Sequence, residues 1–419
     1  MTTTKNNEHK KLNFSSEREQ SQVCLNSAEH EKNQGRKVLN VPNLRFPEFK
    51  GEWEKCKVSD LLDFYSTNSL SWDKLEYGTT NIQNLHYGLI HVGLSTMVDI
   101  DKDNLPNIID GNVPKNYELC KEGDIVFADA SEDTNEVAKA VEYYNLNGKK
   151  VVCGLHTIHG RDNKNKTVVG YKGYAFSSMS FHHQTRRIAQ GTKIYSINSK
   201  NFSECYVGIP SKDEQQKIAD LLRLIDERIA TQNKIIDKLQ SLIKGIAQKT
   251  VRSNKPNVRL SECLECKSST LQESEVCEQG TYPVYGANGI VGYLENYNTE
   301  SEAVYIIKDG SGVGTVSYVT GKCSATGTLS ILQAKEGYLL QYLYYLLKVF
   351  NFEPYKTGMA IPHIYFKDYG KAKVFCPSYT EQLQYARLLS AIESNLSIEI
   401  NILTNLSLQK QYLLRQMFI

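Results

Sequence analysis

The 419-residue chain contains no Pro-Pro dipeptide, no run of 18 apolar residues, and only two tryptophans and five methionines. The missing apolar run excludes a membrane-spanning helix. The missing Pro-Pro excludes the Asn/Asp-Pro-Pro-Tyr/Phe signature of a DNA methyltransferase. A phosphate-binding loop is also absent: from Gly314 to Gly321-Lys322-Cys323 there are six intervening residues instead of four, and no Ser or Thr follows to hold Mg²⁺. Gly310-Ser311-Gly312-Val313-Gly314 is followed by a strand pattern and reads as the turn of a hairpin. Glu265-Cys266-Lys267 has the ending of many nuclease motifs without the upstream Pro-Asp. Cys263-x-x-Cys266 is half of a zinc motif, but Cys277 and Cys323 do not make a second pair, so these thiols are expected in a core. The nine histidines show no His-x-x-x-His spacing. No catalytic residue, metal ligand or cofactor is therefore expected in this chain. The opening residues MTTTKNNEHKKLNF lack the apolar core of a signal peptide, which points to the cytoplasm. There the ten cysteines read as reduced thiols.

What the sequence has is an internal repeat. IPSKDEQQKIADLLRLIDERIATQNKIIDKLQSLIKGI, starting at Ile209, aligns without a gap on CPSYTEQLQYARLLSAIESNLSIEINILTNLSLQKQYL, starting at Cys376, at an offset of 167. Pro210 matches Pro377, Glu214-Gln215 matches Glu381-Gln382, and upstream Gly191 matches Gly358 and Ile197 matches Ile364. Each copy has Pro and Ser before it, acids in its first turn and no internal proline, so each reads as a helix of about 38 residues, roughly 57 Å. Leu222, Ile225, Ile229, Ile236, Leu239, Ile243 and Ile246 form a heptad seam in the first copy; Leu389, Ile392, Leu396, Leu403, Leu406 and Leu413 form one in the second. Gln232 and Glu399 interrupt the two seams near their midpoints. In an antiparallel pair these midpoints meet, and the two residues would fix the register.

The helices divide the rest. Residues 1–40 are polar and are expected to be a disordered tail. A first globular domain is expected over 41–209, the first helix over 210–251, a basic linker over 252–259, a second domain over 260–376, and the second helix over 377–419. Within the domains, Val/Ile/Tyr-rich runs alternate with Gly and Asn turns, and Val58-Ser59-Asp60-Leu61 resembles Leu260-Ser261-Glu262-Cys263. The fold class is α+β: two globular domains of mixed strands and short helices, separated by two long helices in an antiparallel coiled coil with pseudo-twofold symmetry. A net charge of +2 is low for a chain that binds DNA alone, but its distribution is uneven. Glu52 to Tyr143 carries 7 basic and 18 acidic residues, and Tyr144 to Pro210 carries 10 and 2. Either the second stretch faces phosphates, or both stretches are solvated faces of one domain.

This order, and the sequence from Gly191 to Ile197 followed by Pro210 and Glu214-Gln215, resembles the DNA-specificity subunits of type I restriction–modification systems. The second copy carries Gly358, Ile361, Pro362, Ile364, Pro377 and Glu381-Gln382. Val41-Pro-Asn-Leu-Arg-Phe-Pro-Glu-Phe and Tyr282-Pro-Val-Tyr-Gly-Ala-Asn-Gly-Ile-Val-Gly-Tyr293 are also similar to bacterial members. The resemblance implies a non-catalytic bacterial subunit whose two target-recognition domains each read half of a bipartite double-stranded DNA site. It implies as partners two adenine methyltransferase subunits and two restriction/translocase subunits, which would bring S-adenosylmethionine, ATP and Mg²⁺. The helix pair would set the unread spacer. The rival readings are an endonuclease or methyltransferase with unfamiliar motifs, and a coiled-coil scaffold without a DNA role. Phosphate contacts need Lys, Arg and polar side chains, and base reading needs Arg, Lys, Asn or Gln able to enter the major groove. The candidates in the first domain are Arg161, Lys164, Lys166, Lys172, His182, His183, Gln184, Arg186 and Arg187. In the second domain, with 9 basic and 12 acidic residues from Leu260 to Cys376, they are Asn288, Lys308, Ser311, Lys322, Lys356 and His363.

Overall fold

The computed structural model describes residues 39–79 and 81–419. The tail expected over 1–40 falls almost wholly outside them. The described chain divides into two units: one runs to Arg223 and regains Tyr412–Ile419, and the other is Leu224–Gln411.

In the first unit, a five-stranded sheet has the order Asp63–Tyr65, Thr157–Arg161, Ile125–Ala128, Ala140–Asn145, Met97–Asp99. The three central strands are short and wholly or largely buried; Ile125–Ala128 is apolar throughout, as burial on both faces favours, while Thr157–Arg161 buries the polar His159 and Arg161. A second sheet has Val151–Cys153 parallel to Gln83–Leu85. The second unit repeats the plan. Its larger sheet runs Leu264–Ser268, Leu329–Ala334, Ala303–Ile307, Val316–Val319, with every neighbouring pair antiparallel. The corresponding four strands of the first unit are antiparallel in the same order. The smaller sheet again contains one parallel pair, Tyr282–Gly286 with Ser324–Ala325.

The repeat extends to single hydrogen bonds. Val58-Ser-Asp-Leu61 and Leu260-Ser-Glu-Cys263 are both one-turn helices. The amide of Val58 donates to Cys205 O at 2.9 Å, and that of Leu260 to Ala372 O at 3.0 Å. Tyr171 donates its hydroxyl to Gly208 O and Tyr342 to Phe375 O. Gln215 donates to Pro210 O and accepts from Val168 N; Gln382 donates to Pro377 O and accepts from Leu339 N. The acceptors 205, 208 and 210 lie 167 residues before 372, 375 and 377. Both glutamines are buried, so each satisfies polar backbone groups that would otherwise be stranded in the core.

The long helices span Lys212–Arg252 and Tyr379–Gln416. The carboxylate of Glu381 accepts from the backbone and hydroxyl of Ser378, closing the N-terminus of the second. The seam is buried at Leu222, Ile225, Ile236, Ile243, Leu389 and Leu413, and at the polar Gln232. Each fully buried leucine contributes about 1.5–3 kcal/mol. The helices run antiparallel: Asp226 pairs with Lys410 at 2.6 Å, and Gln232 donates to Glu399 O at 3.1 Å and to its carboxylate. The stretch 252–259, expected to be a plain linker, is partly ordered into the second unit. Val258–Arg259 pairs with Lys373–Val374, and the Asn257 side chain binds both N and O of Cys376.

Candidate nucleic-acid interface

The basic run of the first domain folds back onto the acidic run before it. Arg161 is buried; its guanidinium holds both oxygens of Asp124 at 2.8 Å, Glu118 at 2.6 Å and Leu119 O, and lies 4.4 Å over the Tyr65 ring. Lys172, also buried, is 3.1 Å from Glu142, whose carboxylate accepts from the amides of Gly170 and Gly173. Both residues are corrected as phosphate contacts. An internal carboxylate neutralises each cation, and exposing either would leave that carboxylate unpaired in the core. Lys166 is half-buried and paired with Glu54 at 2.7 Å; exposed Lys164 donates to Asp60 O. Three of the ten cations of the run, Arg161, Lys166 and Lys172, are thus paired with acids of the same domain, so the run does not face phosphates as a whole.

What remains is centred on one helix. Met179–Ile188 is capped by Ser178 Oγ, which accepts from Phe181 N, and carries Arg186 and Arg187 in its last turn. There the cations face the negative end of the helix dipole. Both arginines and His183 are exposed and make no ion pair among the described residues. Gln184 points inward and clamps both N and O of Tyr206, so it is structural. His182 is half-buried; burial first, then the nearby Arg186, lowers its pKa, so its ring is neutral at pH 7.

Directly after this helix comes a loop bounded by Gly191 and Ile197 of the repeat. Gln190 and Ser196 exchange backbone hydrogen bonds of 2.9 and 2.8 Å, closing a loop that exposes Lys193 and Ile194. Thr357 and His363, 167 residues later, exchange bonds of 2.9 and 2.8 Å around a loop that exposes Met359 and Ile361. Each loop begins with a glycine at positive φ, Gly191 at 137° and Gly358 at 88°. A Cβ would stand 1.9 Å from Ile194 O in the first and 2.3 Å from Ile361 O in the second, so glycine is required at both. Each loop ends on a buried isoleucine whose amide bonds the main sheet: Ile197 to Asp129 O and Ile364 to Lys308 O, both at 3.0 Å. The Gly–Ile pairs of the repeat are the visible trace of these loops; Ile194 and Ile361 also match at the offset of 167, while Thr192-Lys193 and Met359-Ala360 differ.

In the second domain, four candidates converge on the loop. Lys308 lies where Ile364 is anchored. His363 closes the loop, and Lys356 precedes it, paired with Glu353. Ser311 is exposed in the Gly310–Gly314 turn, whose Gly310 N donates to Pro362 O, and that turn joins two strands of a hairpin. Asn288 and Lys322 sit elsewhere. Asn288 is at the tip of the Tyr282–Leu294 hairpin, and Lys322 is 4.7 Å over the Tyr297 ring. Each domain therefore presents a rigidly anchored loop with an exposed apolar tip and unpaired or half-buried cations beside it, a combination suited to a groove lined by phosphates.

Comparison with known proteins gives this arrangement a family. The pattern described as the type I restriction modification DNA specificity domain matches twice, over residues 50–241 and 253–408. A protein of Mycoplasma genitalium named as a type I specificity subunit is 25% identical over 255 residues, covering 55% of this chain and 66% of that protein. The EcoprrI specificity subunit of Escherichia coli is 26% identical over 117 residues, 28% of this chain and 29% of that one. The matched regions thus span just under two thirds of the first relative and under a third of the second. A crystal structure of a type I restriction–modification S subunit from M. genitalium superposes with a TM-score of 0.59 at 19% identity, covering 90% of this chain and 99% of that one. A structure reported for complex assembly and conformational transition of the type I system gives 0.52 at 14%, covering 86% and 96%. At these identities the structural likeness is one of fold. The double match spans most of the chain, and the chain belongs to the family of type I restriction–modification DNA-specificity subunits.

Proposed function

We propose that the chain reads a two-part site on duplex DNA, one target-recognition domain per half, without catalysing a reaction itself. The observation that supports this reading best is the pair of anchored loops, Gln190–Ser196 and Thr357–His363. They occupy equivalent places in two domains with matching central strands; both expose an isoleucine, Ile194 and Ile361, and they differ at Thr192-Lys193 against Met359-Ala360. An equivalent frame with unlike tips is what reading two different half-sites requires. Arg186, Arg187 and Lys193 would supply phosphate or base contacts beside the first loop, and Lys308, Ser311 and His363 beside the second.

The helix pair would set the unread spacer and carry the partners. Leu224 and Ile235 on one helix, and Ile398, Ile402 and Leu408 on the other, expose apolar side chains. Such a stripe on a helix pair suits protein neighbours. In this reading those are two adenine methyltransferase subunits and, in the full enzyme, two restriction/translocase subunits. They bring S-adenosylmethionine, ATP and Mg²⁺, and the work is in the cytoplasm. The test is to map methylated adenines in cells carrying this chain and its methyltransferase. A split motif that disappears when the chain is deleted supports the reading. Methyl transfer or DNA cleavage by the purified chain alone refutes it.

A further inference from the structure

Three potential metal ligands meet in the core of the first domain, away from the loops. Cys120 precedes the strand Ile125–Ala128, Cys153 ends the strand Val151–Cys153, and His159 is central in Thr157–Arg161. The backbone bond from Cys120 N to Val151 O, 2.9 Å, brings the first two segments together. The two sulfurs are 3.5 Å apart, too far for a disulfide at about 2.05 Å. They and a ring nitrogen of His159 all lie within 4.8 Å of one another, and all three residues are buried.

Two further facts separate this cluster from an ordinary pair of core thiols. His159 Nε2 lies 2.7 Å from Asp124 Oδ2, which places the ring proton there and leaves Nδ1 as a lone pair. Nδ1 is buried and has no hydrogen-bond partner among the described residues. A carboxylate holding the far nitrogen of an imidazole is the arrangement that orients a metal-ligating histidine and makes it more basic. Asp124 is itself fixed by Arg161. The Tyr143 hydroxyl is likewise buried, without a hydrogen-bond partner among the described residues, in the same buried cluster as Cys120 and Cys153. Two core polar groups without partners around a sulfur pair need a physical reason.

We propose that Cys120, Cys153 and His159 bind a structural zinc ion, with Tyr143 as the neighbour able to fill a fourth position. Two sulfurs 3.5 Å apart, each about 2.3 Å from zinc, subtend about 100° at the metal, close to tetrahedral. Loading releases the two thiol protons to solvent. The thiolates then cancel the dication, so the site puts no net charge into the core. Zinc is favoured by the sulfur and nitrogen donors and by the lack of redox change. The site lies among strands in the core of the first domain and would rigidify that domain without touching DNA.

The test uses the full-length chain. Metal analysis after dialysis is expected to find roughly one zinc per chain. Replacing zinc with Co²⁺ alone is expected to give a thiolate-to-cobalt charge-transfer band and tetrahedral d–d bands. Cys120→Ser and Cys153→Ser should abolish both signals, and His159→Asn should weaken Co²⁺ binding at least about tenfold. Cys277→Ser, at an exposed thiol, should leave them unchanged. If a serine variant fails to fold, the wild-type spectra decide. Wild-type protein with no zinc and no Co²⁺ bands overturns the proposal. So does a Cys120–Cys153 disulfide found by peptide mass, or Co²⁺ bands that persist in soluble Cys153→Ser.

Discussion

Replacing Arg161 with Ala separates a structural cation from a DNA-binding one. Its side chain is 9% exposed and that of its partner Asp124 is 1% exposed. Removing the guanidinium takes away three charge-assisted bonds to carboxylates, one bond to Leu119 O and the stacking on Tyr65. Asp124 is then left buried with only His159 and the amide of Lys121. Breaking a buried pair from one side costs about 3–5 kcal/mol. For a domain of this size each kcal/mol moves the midpoint by roughly 2–4 °C, so the first domain should melt roughly 6–20 °C lower. The assay is thermal unfolding of the full-length variant followed by circular dichroism, repeated at falling pH. Burial alone would raise the pKa of Asp124, but its bonds to His159 and Arg161 hold it below the ordinary carboxylate value. A depressed carboxylate stabilises above its unfolded pKa, and that contribution is lost as pH falls through the folded one. The gap between wild type and variant should therefore narrow below about pH 4. A variant that melts with the wild type, yet binds DNA more weakly and with a smaller salt slope, would refute the structural assignment.

Arg186→Ala with Arg187→Ala should leave the melting temperature unchanged and weaken DNA binding; if both touch phosphates, the slope of log K against log salt falls by about 2. Gly191→Ala and Gly358→Ala meet backbone carbonyls at 1.9 and 2.3 Å, so each should distort its own loop at roughly 1–3 kcal/mol. Methylome sequencing should then show one half of the recognised motif relaxed in each variant and the other half kept. Gln232→Leu together with Glu399→Leu should raise the urea midpoint of the helix pair by removing a buried polar step from the seam, while weakening its register. Altered spacing in the methylated motif would report the slip.

The helices were legible because a seam at heptad spacing has one good structural solution, and the repeat made that reading redundant. Gln232 and Glu399 were placed together by symmetry of position alone. Individual DNA contacts were far less legible. Arg161 and Lys172 read as surface cations because nothing in a sequence says which acids fold onto them, and Asp124 and Glu142 lie 37 and 30 positions away. Arg186 and Arg187 come from the same basic run but end a helix and stay exposed. The buried set Cys120, Cys153 and His159 has no recognisable spacing either, since three separate segments supply it; attention to Cys263-x-x-Cys266 missed it.

Each of the two loops is closed and anchored by backbone hydrogen bonds outside its tip: Gln190 with Ser196 and Ile197 with Asp129 in the first, Thr357 with His363 and Ile364 with Lys308 in the second. A change at the tips therefore leaves the supporting bonds intact. If the tips read DNA as proposed, what is read can drift in evolution without refounding the fold that presents it. If the loops read the two half-sites as proposed, the equivalent mounts make each domain a compatible receptacle for the other's reading surface, and a new target choice requires exchange of that surface alone.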